Sequence, residues 1–252
     1  MKSWARHGLR LLGLLAVCLL ALQIFFALRI GLMRVLAPQS TSFQRSEAWR
    51  LLSETRRIPW SQQWVPYAQI SPSLKRAVIA SEDAGFAEHT GVEWDALEKA
   101  WQKNQKAEVR AERINQPPPG RAVPKRKVEP KVVGGSTITQ QLAKNLFLSG
   151  ERTVPRKAQE FVITMLLEAL LPKQRILEIY LNNVEWGEGV FGAQAAARHY
   201  FHVDAARLSP DAAARLAVML PAPKRFEKNP GSAYVSGRSA TIAARMGAVE
   251  LP

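Results

Sequence analysis

The chain has 252 residues, which is enough for one domain of ordinary size and a short appendage. Hydrophobic residues make up 47% of it, and its one cysteine, Cys18, excludes an internal disulfide or a cysteine-based zinc cluster. The formal net charge of +14 favours a polyanionic partner, and composition alone leaves nucleic acid, anionic lipid and pyrophosphate open.

An apolar stretch near the N-terminus, residues 11–28, contains no charged residue and only one strongly polar residue, Gln23. It is long enough to span a bilayer. It exceeds the apolar region of roughly 7–15 residues found in cleaved signal peptides, and buried core helices are rarely so apolar on every face. The sequence therefore predicts a cytoplasmic tail (1–10) and a transmembrane anchor (11–33). Because the remainder would lie outside the cytoplasm, nucleic acid is excluded as a partner.

The rest of the chain predicts a connector followed by one mainly α domain. Residues 34–70 are rich in proline and tryptophan, which indicates a membrane-proximal connector. No alternating strand pattern of any length follows. Apolar spacing and capping residues such as Ser71 with Pro72 predict a series of helices within 71–252. These helices are expected from residue 72, at 94–105, after Gly135, and at 155–171, 173–184, 193–201 and 210–220.

A basic segment, residues 103–131, interrupts this helical pattern. It carries nine Lys or Arg residues against three Glu residues, and five prolines. Because proline disrupts helix interiors, we expect most of the segment to form a mobile basic loop. Either this loop rests on anionic lipid, or it is a solvated insertion without a specific role.

The first candidate cluster is a pair of adjacent carboxylates, Glu82 and Asp83, with His89 nearby. It lies where a predicted helix ends and a glycine-containing loop begins. Adjacent carboxylates that are partly buried drive their pKa values apart, and this prepares one of them as a general base. The competing interpretation is an ordinary solvated pair.

The second cluster lies in residues 134–145. In a helix, Ile138, Leu142 and Leu146 share one face, and hydroxyl, amide and ammonium groups share another. The polar face suits sugar hydroxyls and a phosphate, and the preceding glycines permit close approach of the backbone to a ligand. An ordinary solvated face is the alternative. The polar face consists of Thr137, Gln140, Gln141 and Lys144.

The third cluster combines three cations, Arg152, Arg156 and Lys157, with Glu160 near the start of a predicted helix. A surface ion pair at the i,i+4 spacing is the simpler interpretation. The functional interpretation is a site for a pyrophosphate leaving group, because the helix dipole already favours anions there.

In this order, the three clusters and two later segments resemble the motifs of glycosyltransferase family 51, the peptidoglycan glycosyltransferases. The resemblance covers about residues 60–235 and is closest to the monofunctional members. The second motif matches almost letter for letter. The five matching segments are 82–91, 134–145, 152–160, 176–201 and 216–226.

This resemblance implies a lysozyme-like, mainly α fold in two lobes, one of which dips into the membrane. Residues 71–252 would be the glycosyltransferase domain of a single-pass protein of the bacterial inner membrane, on the periplasmic side. A growing glycan chain on its lipid pyrophosphate would be the donor and lipid II the acceptor. Other cell-wall synthesis and division proteins would be its protein partners.

The resemblance also implies residue roles. Glu82 would be the general base for inverting attack by the acceptor 4-hydroxyl, and Glu160 a second catalytic carboxylate that manages the pyrophosphate with the three cations. Some members hold a divalent cation, Mg²⁺ or Mn²⁺, at the pyrophosphate, but the sequence shows no metal-binding cluster. The implied substrate-binding residues are Asp83, Phe86, His89, Gly135, Ser136, Thr137, Gln140, Gln141, Lys144, Asn145, Arg152, Arg156 and Lys157.

Two alternatives stay open at this point. A lysozyme-like muramidase would also use a key glutamate, although cleavage of a neutral glycan gives no role to the gathered cations. A non-catalytic membrane scaffold for cell-wall enzymes would have no need of Glu82. The chain departs from the family pattern in residues 103–131, which are longer than the usual link between the first two motifs.

Overall fold

The computed structural model describes residues 2–116, 128–129, 135–151 and 153–252. Within these residues the chain forms eleven α-helices, two short 3₁₀ turns and a three-stranded sheet, which confirms the mainly α prediction. The helices are α1 Lys2–Leu32, α2 Ser42–Thr55, α3 Pro72–Glu82, α4 Trp94–Asn115, α5 Ile138–Phe147, α6 Val154–Leu170, α7 Lys173–Asn183, α8 Ala193–Phe201, α9 Pro210–Met219, α10 Pro223–Phe226 and α11 Ala233–Met246. The strands are β1 Ser61–Gln62, β2 Glu185–Gly187 and β3 Val190–Phe191.

Helix α1 contains the predicted membrane segment. Among the described residues it is the one helix long and apolar enough to cross a membrane, over His7–Leu32, and most of that span is exposed. Its C-terminal part packs on the rest of the chain, where Phe26 lies edge-to-face with Phe147 of α5 at 5.2 Å between ring centroids. Ile30 and Met33 are also buried.

Helices α3 and α5 begin at capping residues, and the sequence indicates the cap of α3. The Ser71 hydroxyl accepts a hydrogen bond from the Ser73 amide, with Pro72 as the first helical residue of α3. Thr137 and Gln140 form a capping box at the start of α5. Because such caps satisfy amides that the helix itself leaves free, they fix where each helix starts.

The core has two groups of helices. Helix α3 packs on α9 and α11, and α5 packs on α6 and α7. The apolar face predicted for α5 is confirmed, because Ile138, Leu142 and Leu146 are all buried. The cleft described below lies where α5, α6 and the sheet meet.

The small sheet has the order β1-β3-β2, with β1 parallel and β2 antiparallel to β3. Gly189, in the turn between β2 and β3, has φ +71°, and a Cβ atom there would lie 2.0 Å from the Pro59 carbonyl oxygen. Only glycine fits this turn without movement of the backbone. The turn follows β2, whose Glu185 lines the cleft.

Two parts of the fold differ from the sequence prediction. Helix α4 continues to Asn115, so the expected loop is wrong for residues 103–115. The first proline of the segment is Pro117, and the residues before it are mostly good helix formers. Residues 116 and 128–129 are not helical, and the rest of that prediction falls at 117–127 and 130–131, outside the described residues. Helices α2, α10 and α11 were not predicted, and α2 packs on α5 within the expected connector.

Candidate active site

Glu82 is the last residue of α3, and its carboxylate is held by α5. Gln141 Nε2 donates to Glu82 Oε2 at 2.9 Å, and Gln141 Oε1 accepts from the Tyr180 hydroxyl at 2.9 Å. Burial raises the pKa of Glu82, and the neighbouring Asp83 charge raises it further against the hydrogen bonds from Gln141 and Ser81. A fixed carboxylate with a raised pKa is suited to accept a proton from a hydroxyl.

Asp83 has a different environment, because both of its oxygens are already bound. Oδ1 lies 2.7 Å from His89 Nε2, and Oδ2 accepts from the backbone amide of Ile138 at 2.9 Å. Since the Gly91 amide donates to His89 Nδ1, the other ring nitrogen, Nε2, carries the hydrogen and donates to Asp83. Asp83 therefore joins the loop after α3 to the start of α5.

Two further predicted residues, Thr137 and Phe86, contact or belong to the loop that follows α3. The Thr137 hydroxyl donates to the Gly91 carbonyl at 2.6 Å. Phe86 is fully buried, with the Lys173 ammonium 4.6 Å from its ring centroid. In this arrangement both side chains are engaged with protein groups that shape the loop around Glu82.

The third cluster surrounds Glu160 on α6. Arg156 Nη1 lies 2.9 Å from Glu160 Oε2, and the Lys157 ammonium hydrogen-bonds Oε1. Glu160 is buried, and Arg156 Nε is buried without a hydrogen-bond partner among the described residues. This leaves donor capacity for an anion. Arg152 lies outside the described residues.

The carboxylates do not fit a divalent cation as they are placed. Both Glu160 oxygens are bound by cations, whereas Mg²⁺ and Mn²⁺ need several oxygen ligands. Asp83, His89 and Glu93 bring ligand atoms within 4.8 Å of one another. However, Asp83 and His89 bind each other and two backbone amides, so they are not free to coordinate a metal.

A cleft of about 590 Å³ brings the second and third clusters together. Glu82 adjoins it through the hydrogen bond from Gln141. Gly135 is partly buried in the segment that leads to α5. The predicted residues that line the cleft are Ser136, Gln140, Gln141, Lys144, Asn145, Arg156, Lys157 and Glu160.

A family model described as Transglycosylase matches residues 50–113 and 119–247. The chain belongs to the transglycosylase family. This confirms the predicted family and the lysozyme-like, mainly α fold. The short interruption of the match, at 114–118, coincides with the end of α4 and the start of the proline-rich segment.

Relatives in this family are similar over nearly the whole chain, and several carry the name "Biosynthetic peptidoglycan transglycosylase". The protein of that name from Burkholderia pseudomallei (strain K96243) is 51% identical over 240 residues, 95% of this chain and 86% of its own length. That of Paraburkholderia xenovorans (strain LB400) is 49% identical over 241 residues, 95% and 91% of the two chains. That of Burkholderia orbicola (strain MC0-3) is 50% identical over 250 residues, 99% and 94%.

Sequence reasoning missed several polar residues near this transglycosylase site. Tyr180 was not identified as a site residue, yet its hydroxyl donates to Gln141 Oε1, and burial raises its pKa well above the ordinary value. Glu47 and Glu185 line the cleft, and Lys224 contacts both carboxylates. Glu185 lies in the fourth motif together with Glu178 and Glu188, so the sequence alone does not single it out.

Proposed function

We propose that this chain polymerises peptidoglycan glycan strands. It transfers the growing chain from its lipid pyrophosphate to the 4-hydroxyl of lipid II, with inversion at the anomeric carbon and release of polyprenyl pyrophosphate. The observation that carries this proposal is the position of Glu82. This carboxylate has a raised pKa and lies beside a cleft that also contains Lys144, Arg156 and Lys157.

Glu82 is the general base of the proposed reaction. Its carboxylate takes the proton of the acceptor 4-hydroxyl as that oxygen attacks the anomeric carbon of the donor. The bond from the anomeric carbon to the pyrophosphate oxygen breaks, and its electron pair leaves with the pyrophosphate. Gln141 keeps the Glu82 carboxylate in position, and Tyr180 keeps Gln141 in position.

The cations act on the leaving group. Charge accumulates on the pyrophosphate as its bond to the sugar breaks, and fixed cations stabilise this charge in the transition state. Within the described part of the chain, Arg156 has a buried Nε without a partner, and Lys144 lies on the facing helix α5. Glu160 holds Arg156 and Lys157 in place between reactions.

The proposed location is the bacterial inner membrane, with the catalytic domain on the periplasmic side, and the apolar helix α1 supports the membrane part of this proposal. Its C-terminal part packs against α6, the helix that carries Arg156 and Glu160. The cleft is therefore connected, through α6, to the helix that would cross the bilayer. This arrangement keeps the site close to a substrate whose lipid tail lies in the same membrane.

The experiment uses the detergent-solubilised full-length chain, labelled lipid II and a Glu82→Gln variant. We expect wild type to form polymer and Glu82→Gln to lose at least about a hundredfold in rate. Glu98→Gln, which removes an exposed carboxylate on α4, is the matched control and should polymerise normally. Equal polymer from Glu82→Gln, or none from wild type in several detergents with divalent cations added, contradicts the proposal. Cleavage of finished peptidoglycan without use of lipid II would indicate a muramidase instead.

A further inference from the structure

A second group of charged residues lies in the same cleft, on elements different from those that carry the cations. Glu185 is on β2 and Glu47 is on α2, and both line the cleft together with Pro223 at the start of α10. Lys224 of α10 contacts the carboxylates of both residues. The mechanism proposed above uses none of these side chains.

The carboxylate of Glu185 is buried without full hydrogen bonding. Its side chain is 7% exposed, and Oε1 has no hydrogen-bond partner among the residues that the structure describes. The nearest cation, Lys224 Nζ, lies 3.5 Å from Oε1, which is an ion-pair distance rather than a good hydrogen bond. The Lys224 ammonium instead hydrogen-bonds Glu47. A buried acceptor left in this state calls for an explanation beyond packing.

The net charge of this wall identifies the type of ligand. Glu47 is neutralised by Lys224 and by Arg50, whose Nε lies 2.9 Å from Glu47 Oε2. Burial raises the pKa of Glu185 to about 7, against the nearby Lys224 charge, so this carboxyl is only partly ionised near neutral pH. Such a wall attracts neither a phosphate nor an amine strongly. It offers acceptor oxygens to neutral hydroxyl and amide donors.

We propose that Glu185, supported by Glu47 and Lys224, forms a saccharide subsite that hydrogen-bonds the hydroxyl and acetamido groups of an uncharged amino sugar in the glycan. This inference deepens the proposed polymerase function and rests on it. The cleft then holds the two chemically different parts of a lipid-linked glycan separately. The pyrophosphate lies against Arg156 and Lys157, and a sugar lies against Glu185.

The test measures binding of a soluble tetrasaccharide of uncross-linked glycan, without pyrophosphate, to the detergent-solubilised full-length chain by saturation-transfer NMR. Glu185→Gln and Glu185→Ala are compared with wild type. Glu54→Gln is the matched control, because Glu54 is an exposed partner of Arg50 outside the cleft. We expect both Glu185 variants to bind the tetrasaccharide at least about tenfold more weakly, and to raise the KM for lipid II more than they lower kcat.

The outcomes separate this inference from the proposed function. Tetrasaccharide binding that is equal in wild type and both Glu185 variants overturns the subsite, even where wild type polymerises lipid II. No binding by wild type overturns it as well. If free stem peptide, and not the tetrasaccharide, binds at Glu185, the site recognises an amine and the saccharide subsite is overturned. Loss of tetrasaccharide binding in both variants supports the subsite, even where wild type forms no polymer and the polymerase proposal fails.

Discussion

Gln23 of α1 and Gln159 of α6 exchange two side-chain hydrogen bonds, each 3.0 Å long. Gln23 is the strongly polar residue of the apolar stretch, and Gln159 directly precedes Glu160. Each side-chain amide provides the hydrogen-bond partner of the other, at the point where α1 stops packing on the rest of the chain. The pair therefore links the helix that would cross the membrane to the helix that carries the cationic cluster.

Replacement of Gln23 by Leu should destabilise the chain, because it leaves the Gln159 amide without its partner. We expect a loss of about 1 kcal/mol in the free energy of unfolding, measured by denaturant titration in a fixed detergent. The double variant Gln23→Leu/Gln159→Leu should recover part of this loss. The control Val17→Leu changes an exposed position of the same helix and should have no effect. If the double variant lost more unfolding free energy than the two single losses added together, this account would be contradicted.

The pH dependence of polymerisation should report the environment of Glu82. A base must be ionised to accept a proton, so kcat/KM should rise with pH through the pKa of Glu82. Because burial raises this pKa, the rise should lie above pH 4.5, the ordinary value for glutamate. Gln141 stabilises the ionised form, so Gln141→Ala should raise the pKa further and move the rise to higher pH. A rise unchanged by Gln141→Ala would show that another group controls this titration.

Much of the candidate active site could be proposed from the sequence, because its residues lie in short continuous motifs. Glu82 and the polar face of α5 were identifiable from helix ends, glycines and spacing. The different environments of Glu82 and Asp83 could not be identified from the sequence. They depend on Gln141, His89 and the amide of Ile138, which approach the two carboxylates only in the folded chain.

Long-range packing explains what the sequence did not predict about the fold. Helix α2 has a weak apolar pattern, and it is held on the domain by Leu51 and by Gln44, which bonds Asn183 of α7. The strands have only two or three residues each, too few for an alternating pattern to be recognised. Glu185 and Lys224 lie far apart in sequence, and only the packing of α10 beside β2 brings them together.

Gly189 should be the glycine least tolerant of substitution in the sheet. Its φ is +71°, and an added Cβ would lie 2.0 Å from the Pro59 oxygen, so Gly189→Ala requires backbone movement. We expect a loss of at least about 2 kcal/mol in the free energy of unfolding. Gly237 lies in α11 with open space around it, and Gly237→Ala should stabilise the chain by roughly 1 kcal/mol. Equal effects of the two substitutions on the melting temperature would show that the turn is not restrictive.

Glu185 should make the chain less stable as the pH rises. Its pKa is about 7 in the folded chain against 4.5 ordinarily, because burial outweighs the opposing charge of Lys224, with Glu47 raising the pKa and Arg50 lowering it. Between pH 4.5 and 7 the unfolded chain releases this proton while the folded chain keeps it, so folding stability falls across this window and the loss is constant above it.

Glu185→Gln removes this loss. The free energy of unfolding of this variant, relative to that of wild type, should therefore increase between pH 5 and pH 8 by up to roughly 3 kcal/mol. Denaturant titration at each pH measures this difference. Glu54→Gln, which removes an exposed carboxylate of the Arg50 network, tests whether loss of any acidic group has the same effect. Parallel pH–stability curves for wild type and Glu185→Gln would contradict the raised pKa. A gain in stability together with weaker sugar binding would show that Glu185 is retained at the expense of stability for its contact with the glycan.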